Sequence, residues 1–358
     1  MYDVIVVGAG PSGASSALFL ARKGVNVLIL EKKKVPRYKV CAGGTARFTF
    51  DLLDVPPKYF DAFQIENLEI IYDNERKTFT VPSDSIFTVL RDQFDYKLTG
   101  LACESGANLI DGEEVIGVRE DGNSLTVKTN LGHTFTSRYI IGADGVGSIV
   151  ARFLKEDFRY PMPLAIQKDV PEREPPHTLR LFMGLVPMGY GWIFPKDGRL
   201  SIGLGAYKFP PKEMSKILQS ILKRFSSNDS RLLAHPIPFY RGRRKIANDR
   251  VLLVGDSARL VDPFSGEGIR NGIKSAKIAS EVILDALNKK ISLQSYQERV
   301  YRAMARELFI SWIISGIFYR FQRRIYQKLD GYSIGDVLAN LLNERTSYSH
   351  ILRRIFRL

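Results

Sequence analysis

Residues 3–31 constrain the fold more than any other part of the chain. The apolar run DVIVV at 3–7 leads directly into GAGPSG at 8–13; residues 11–23 carry helical spacing, and a second apolar run, VNVLIL at 25–30, ends at Glu31. Strand, helix and strand within about thirty residues is the size of a βαβ crossover. The glycines have separate mechanical tasks: Gly8 permits a tight turn, Gly10 lets backbone approach a pyrophosphate, and Gly13 lets the helix pack on the sheet. The helix N-terminus offers unpaired N–H groups and a positive dipole end to phosphate, and Glu31 is placed to accept hydrogen bonds from a ribose diol. A dinucleotide-binding α/β domain follows. The glycine motif alone does not separate a nicotinamide from a flavin dinucleotide.

The rest of the chain reads as a mixture of sheet and helix. LEIIYD at 68–73 and KTFTVP at 77–82 form an expected hairpin turning at Asn74-Glu75. A helix is expected from about Ser85 to Gly106, with Phe87, Leu90, Phe94, Leu98 and Leu101 on one face. Short strands are expected at 108–111, 114–119, 124–128 and 139–145, and an antiparallel sheet at 178–186, 190–195 and 199–206. Helices are expected at 211–225 and 268–289 around a buried strand at 250–256, and the chain from Leu293 onward is helical in pattern. The predicted division is a discontinuous dinucleotide-binding domain of 1–60, 85–155 and 240–290, a second, substrate-binding domain of 61–84 and 156–239, and a helical region of 291–358.

Composition closes off several classes. Two cysteines, Cys41 and Cys103, cannot build a disulfide framework, and four scattered histidines make no ligand cluster, so no metal site is expected. Cys103 reads as core. The chain enters a strand at Tyr2 without a charged leader, which predicts no signal peptide and a cytoplasmic protein. A net charge of +14 implies an anionic partner or a heavily solvated basic surface. No helix-turn-helix, zinc finger or RNP-type module is visible, so nucleic acid is not expected. Arg241, Arg243, Arg244 and Lys245 form a basic cluster, read either as a solvated loop or as a seat for a diphosphate or phospholipid head.

GADGVGS at 142–148 and VGDSARLVDPFSGEGI at 254–269 resemble two further motifs of the flavoproteins that include the aromatic hydroxylases. Three more stretches, KVCAGG at 39–44, YGWIFP at 190–195 and PFSGEGI at 263–269, resemble the geranylgeranyl reductase family, over roughly residues 1–290. The resemblance implies FAD as cofactor and a Rossmann-like FAD-binding domain with a mostly antiparallel substrate sheet and a helical C-terminal region. It implies cofactor contacts at Gly8, Gly10, Ser12, Gly13, Glu31, Cys41, Ala42, Gly44, Arg91, Val115, Asp144, Asp256, Pro263, Gly266, Gly268 and Ile269. In such proteins the residue matching Asp256 binds the ribityl chain, Pro263 lies over the ring, and Gly266 to Ile269 bring a helix N-terminus to the N1–C2=O edge, where reduced flavin is anionic. Arg259 departs from the pattern, which often has a small residue there.

The implied activity is saturation of isoprenoid double bonds in a prenyl diphosphate or an archaeal-type ether lipid, by hydride from reduced flavin N5 plus a proton. Other outcomes on this fold are an FAD-dependent monooxygenase or halogenase and a non-catalytic electron-transfer flavoprotein. Tyr190, Trp192 and Phe194 alternate along one strand and share a face. That face reads either as sheet core or as an aromatic wall that holds a prenyl chain and stabilises positive charge on carbon. Tyr190, Trp192 and Cys41 are the candidate catalytic residues, with Cys41 positioning or protonating the alkene, or acting only as a small spacer. No second dinucleotide motif names the electron donor, which NAD(P)H, ferredoxin or a quinol would satisfy.

LFISWIISGIFY at 308–319 is too short to span a bilayer. Arg320, Arg323, Arg324, Lys328, Arg345, Arg353, Arg354 and Arg357 outnumber Asp330, Asp336 and Glu344 in this tail. Apolar faces beside arginines suit either a helix at an anionic lipid surface, making the protein peripheral at the inner face of the membrane, or a bundle that packs on protein.

Overall fold

The computed structural model describes residues 1–156, 161–225, 232–288, 291–329 and 333–356. They fall into two compact units, one of residues 1–38, 92–160 and 238–309, the other of residues 39–91, 161–237 and 310–358. Residues 39–60, read from sequence with the FAD-binding segments, group with the second unit, as does the C-terminal region from 310.

The first unit is built on β1 (Tyr2–Val7), α1 (Pro11–Ala21) and β2 (Val27–Glu31). β1 and β2 are parallel, with Ile5 opposite Leu28 and Val6 opposite Ile29. The sheet runs in the order Asn108–Asp111, β2, β1, Thr134–Gly142, Ser124–Thr129 and Val115–Asp121. Val251–Leu253 adds in parallel to Thr134–Gly142, while the two last strands of that order are antiparallel. Parallel strands covered on both faces need apolar residues at every position, not alternate ones. Val4, Ile5, Val27, Leu28 and Ile29 are all fully buried, which is why the two runs look continuous in sequence. A long amphipathic helix, α2 (Ile269–Leu287), packs along α1.

The second unit holds a seven-stranded sheet in the order Leu233–Pro236, Leu164–Pro171, Arg199–Ala206, Gly189–Lys196, Thr178–Met183, Asn67–Tyr72 and Glu75–Thr80. All its pairs are antiparallel except Thr178–Met183 with Asn67–Tyr72. One face packs Ile193, Ile202 and Leu204 against Met214 and Leu218 of the helix Pro211–Leu222. Another cluster joins Leu68, Ile70 and Met183 to Tyr326, Ala339 and Leu342 of the C-terminal helices, with Tyr190 and Phe194 packed on it. A small sheet of Gly44–Ala46, Ile86–Thr88 and Phe63–Gln64 ties residues 39–60 to this unit.

Several boundaries differ from expectation. The hairpin turns at Asp73-Asn74, one residue early, with Asp73 in the left-handed region at φ 54°. The helix expected from Ser85 starts at Arg91; Ile86–Thr88 is a strand, because the apolar run there is consecutive and pairs on both sides. Its core face is accordingly Phe94, Leu98 and Ala102, with Cys103 only half-buried. Burial raises the pKa of that thiol, with Glu104 adding to the shift.

The helix Ile334–Leu342 lies so close to the strand Glu75–Thr80 that a Cβ on Gly335 would stand 1.9 Å from the carbonyl oxygen of Thr80. Gly335→Ala is expected to cost about 1–3 kcal/mol through forced separation of helix and strand. Chemical denaturation reads this as a lower midpoint, and an unchanged midpoint contradicts the packing described.

Candidate functional site: a dinucleotide cradle and an aromatic wall

In the first unit the glycine turn is shaped by close backbone contact and held at Ala9 by the Glu31 carboxylate. Gly8 sits at φ 103°, and a Cβ on Gly13 would lie 1.8 Å from the Gly8 carbonyl oxygen. Gly10 caps α1 without a side chain, so the first-turn amides keep their donors for a ligand. Beyond Gly10 the space is open: the nearest atom to a Cβ there is an Arg37 nitrogen at 3.8 Å. The Glu31 carboxylate ends β2 and accepts from the Ala9 amide at 2.8 Å and the Lys33 amide at 3.1 Å. Arg37, which sequence reasoning missed among three neighbouring lysines, pairs with Glu31 at 3.1 Å and with Asp95 at 3.0 Å. These residues fit the adenosine diphosphate portion of a dinucleotide: glycine backbone and dipole for the pyrophosphate, an acid for the ribose, and a guanidinium beside both.

The other two motifs meet the first one in the same unit. Ser12 is wedged against Gly255 and Gly272; a Cβ on either would come within 2.1 and 2.3 Å of its Oγ. Asp256 lies in the turn Gly255–Ala258 after the strand Val251–Leu253, and a Cβ on Gly268 would be 3.6 Å from its Oδ1. Gly268 caps α2 and Ile269 opens it, while Pro263 and Gly266 (φ 75°) shape the loop before it. Within that loop Asp262 Oδ1 accepts from the amides of Phe264 and Ser265.

Glu267 is nearly buried and accepts from the Arg270 amide at 2.9 Å. Burial raises its pKa against the attraction of Arg270. Asp144 accepts from Ser148 Oγ and from the Ile149 amide at 2.7 Å, so its carboxylate supports the Ser148 cap of the helix Ile149–Phe153. Burial raises its pKa against those bonds. Val115 opens its strand, 5% exposed. Arg259 adopts φ 53°, a left-handed conformation in which a side chain is strained and glycine is not.

The basic cluster is built into this unit. Tyr301 Oη accepts from the Arg244 amide at 2.6 Å, Glu156 accepts from the Lys245 amide at 2.9 Å, and Arg243 lies over the Tyr301 ring at 4.8 Å.

In the second unit the structure brings together Tyr190, Trp192 and Phe194. Across the ladder they face Gly205, Gly203 and Ser201. A Cβ on Gly203 would lie 2.3 Å from the Trp192 ring, and one on Gly44 would lie 2.8 Å from Phe194. The Tyr190 and Trp192 centroids are 6.0 Å apart, and Tyr190 stacks on Tyr319 at 6.3 Å with planes 3° apart. Trp192 Nε1 and Ser201 Oγ, both buried, have no hydrogen-bond partner among the described residues. Cys41, Ala42, Gly44 and Arg91 lie in this unit too, in and beside the turn that follows Lys39. The Gly43 amide donates to Cys41 Sγ at 3.3 Å, and the Cys41 carbonyl accepts from Lys196 at 2.9 Å. Lys196 was not singled out from sequence, since a lysine ending a strand ordinarily points to water.

The family described as FAD binding domain matches residues 1–178. A protein of Methanosarcina barkeri is 31% identical over 325 residues, covering 89% of this chain and 84% of its own. A digeranylgeranylglycerophospholipid reductase of Thermoplasma volcanium is 28% identical over 349 residues, covering 87% and 86%. Among solved structures, a geranylgeranyl bacteriochlorophyll reductase-like protein of Thermoplasma acidophilum superposes with a TM-score of 0.83 at 21% identity, over 99% of this chain and 98% of that one. Cradle and fold together define an FAD-dependent flavoprotein of the oxidoreductase class. Within that class, the chain belongs to the geranylgeranyl reductase family.

Gly13→Ala is expected to yield protein that purifies without flavin, because the new methyl collides with the Gly8 carbonyl. Glu31→Gln keeps the fold and weakens FAD by about tenfold, the loss of one charge-assisted hydrogen bond. Flavin absorbance and fluorescence titration measure both; full flavin occupancy in Gly13→Ala contradicts the cradle.

Proposed function

We propose that the protein is an FAD-dependent reductase that saturates carbon–carbon double bonds of an isoprenoid lipid. The carrying observation is the wall of Tyr190, Trp192 and Tyr319, cleared by Gly203. Relatives named digeranylgeranylglycerophospholipid reductase support the same reading. Aromatic faces bind a branched hydrocarbon without demanding hydrogen bonds and favour positive charge developing on carbon. Reduced flavin, when bound, supplies the hydride, and a proton completes the addition across the double bond. Cys41 positions or protonates the alkene, and Ala42, Gly44 and Arg91 are assigned with it to the cofactor as the family resemblance implies. The same assignment is proposed for Val115, Asp144, Asp256 and Pro263. The substrate is a prenyl diphosphate or an ether lipid carrying geranylgeranyl chains.

With chemically reduced enzyme and such a lipid, mass spectrometry is expected to show a gain of H2 for each double bond reduced. Trp192→Ala lowers kcat/KM by about ten- to a hundredfold through lost apolar burial, and Cys41→Ala lowers the rate or changes the product pattern. Oxygen consumption with NAD(P)H and an aromatic acceptor, without any change in the lipid, assigns a monooxygenase instead.

The same reading places the protein on an anionic membrane surface. Phe309, Trp312, Ile313, Ile317 and Phe321 are between 39% and 51% exposed, and exposed Arg320, Arg323 and Arg324 follow them. Asp330 and Arg357, and the side chain of Arg354, lie outside the described residues. Among the described residues no helix is long and apolar enough to cross a membrane. Apolar side chains bordered by guanidinium groups suit a leaflet of acidic lipid. Co-sedimentation with phosphatidylglycerol vesicles at low salt is expected, weakened in Ile313→Glu and by added salt. Protein that stays in the supernatant, or that sediments equally with neutral vesicles, removes this placement.

A further inference from the structure

Lys196 ends the strand that carries the aromatic wall and is only 2% exposed. Taking an ammonium group out of water costs several kcal/mol unless a counter-charge and hydrogen bonds compensate. Two groups compensate here: Asp169 at 3.7 Å and the carbonyl oxygen of Cys41 at 2.9 Å. Burial nevertheless pulls the Lys196 pKa below its ordinary value; Asp169 and Cys41 oppose that shift, while Arg199 and Arg91 add to it. A methionine would fill the same space without the desolvation cost. What methionine lacks is the donation to Cys41 and the counter-charge to Asp169.

The rest of the turn is anchored from several directions. Gln167, 1% exposed on the strand Leu164–Pro171, donates to the same Cys41 carbonyl at 3.3 Å and to Asp169 at 3.4 Å. Beyond Cys41, the Gly43 amide donates to the thiol sulfur, and the Gly43 carbonyl accepts from the Val89 amide at 2.9 Å. Gly43 stands at φ 81°, where a Cβ would meet the Val89 oxygen at 2.2 Å and the Lys196 stem at 3.3 Å. Before Cys41, Lys39 lies 2.8 Å from His235. A buried cation, a buried amide and the backbone of Val89 thus converge on the segment Cys41–Gly43, which the Gly43 amide closes onto the thiol sulfur.

We infer that Lys196 is a positioning residue: with Gln167 as second anchor, it fixes the Cys41 carbonyl and so the direction of the thiol. This rests on the reading that Cys41 serves the reduction, but the clamp itself has a readout free of activity. In FAD-loaded protein, Lys196→Met is expected to raise hydrogen exchange of the 39–45 amides by about tenfold, with the sheet around them unchanged. The same variant lowers kcat by about ten- to a hundredfold with KM within about twofold, and Lys196→Arg recovers part of it, as expected for a lost charge-assisted bond. Gln167→Leu gives a smaller change of the same kind and serves if Lys196→Met fails to fold. Unchanged exchange in 39–45, or a rise spread over the whole unit, overturns the inference. A local rise in a protein that reduces no isoprenoid leaves the clamp standing and removes the proposed reaction instead.

Discussion

A seam almost free of side chains joins α1 to α2, and the cofactor site depends on it. Ser12 fits only because Gly255 and Gly272 have no Cβ; Gly13 fits only because it too has none against Gly8. Further along, Ser280 donates to the Ser16 carbonyl at 3.3 Å. The seam brings the first turns of two helices together, although each carries a partial positive charge at that end. Such ends repel unless anions lie near them. Asp256 and Glu267 supply protein carboxyl groups, but Glu267 has its pKa raised by burial and so carries its negative charge reluctantly. A dinucleotide that brings a pyrophosphate to α1 and the anionic edge of a reduced ring to α2 would supply negative charge to both ends.

What the sequence made legible follows from the same distinction between backbone and side chain. The glycine turn and the 254–269 segment were readable because their function needs missing side chains, which glycines at fixed spacing record directly, and β1 and β2 because burial on both faces leaves a continuous apolar run. The alternation of Tyr190, Trp192 and Phe194 was readable for the opposite reason, since a strand has a period of two. Ile86–Thr88 was not: a short apolar run buried on both faces looks like the start of the helix that follows it. Arg37 and Lys196 were hidden because each is one basic residue among many. Only the fold shows that Arg37 reaches Glu31 and Asp95, or that Lys196 turns inward to a carbonyl 155 positions earlier in the chain.

The second unit repeats the device of removing side chains to make room. Gly203 and Gly205 stand opposite Trp192 and Tyr190, and Ser201 opposite Phe194. In an ordinary antiparallel sheet, β-branched residues at those places would contribute cross-strand packing. Their absence lets the Trp192 ring lie across the neighbouring strand, at the expense of strand propensity and of two polar atoms without partners among the described residues, Trp192 Nε1 and Ser201 Oγ. The opposite face of the same strands, with Ile193, Ile202 and Leu204, makes no such concession and packs as core. On the aromatic face, Tyr190 and Phe194 pack in turn on the cluster of Leu68, Ile70 and Tyr326, so the glycines opposite them make room for rings where the other face has branched side chains.

The helix Arg306–Arg320 shows an inversion of the usual rule. Ser311 and Ser315, one turn apart, are buried, while Phe309, Ile313 and Ile317, also one turn apart, face outward. A helix that only had to pack on a protein core in water would place these residues the other way round. Small residues inside allow close approach, as at the α1–α2 seam, and on the same helix Tyr319 stacks on Tyr190 of the wall. One element thus presents a ring to the proposed substrate wall and large apolar groups to the exterior. That pairing makes chemical sense if the substrate's hydrocarbon is itself dissolved in a bilayer, since the enzyme must then remain at the lipid surface for as long as a chain is being drawn out and reduced. Sequence periodicity could not reveal it, because LFISWIISGIFY is apolar on nearly every side and only the position of the two serines tells inside from outside.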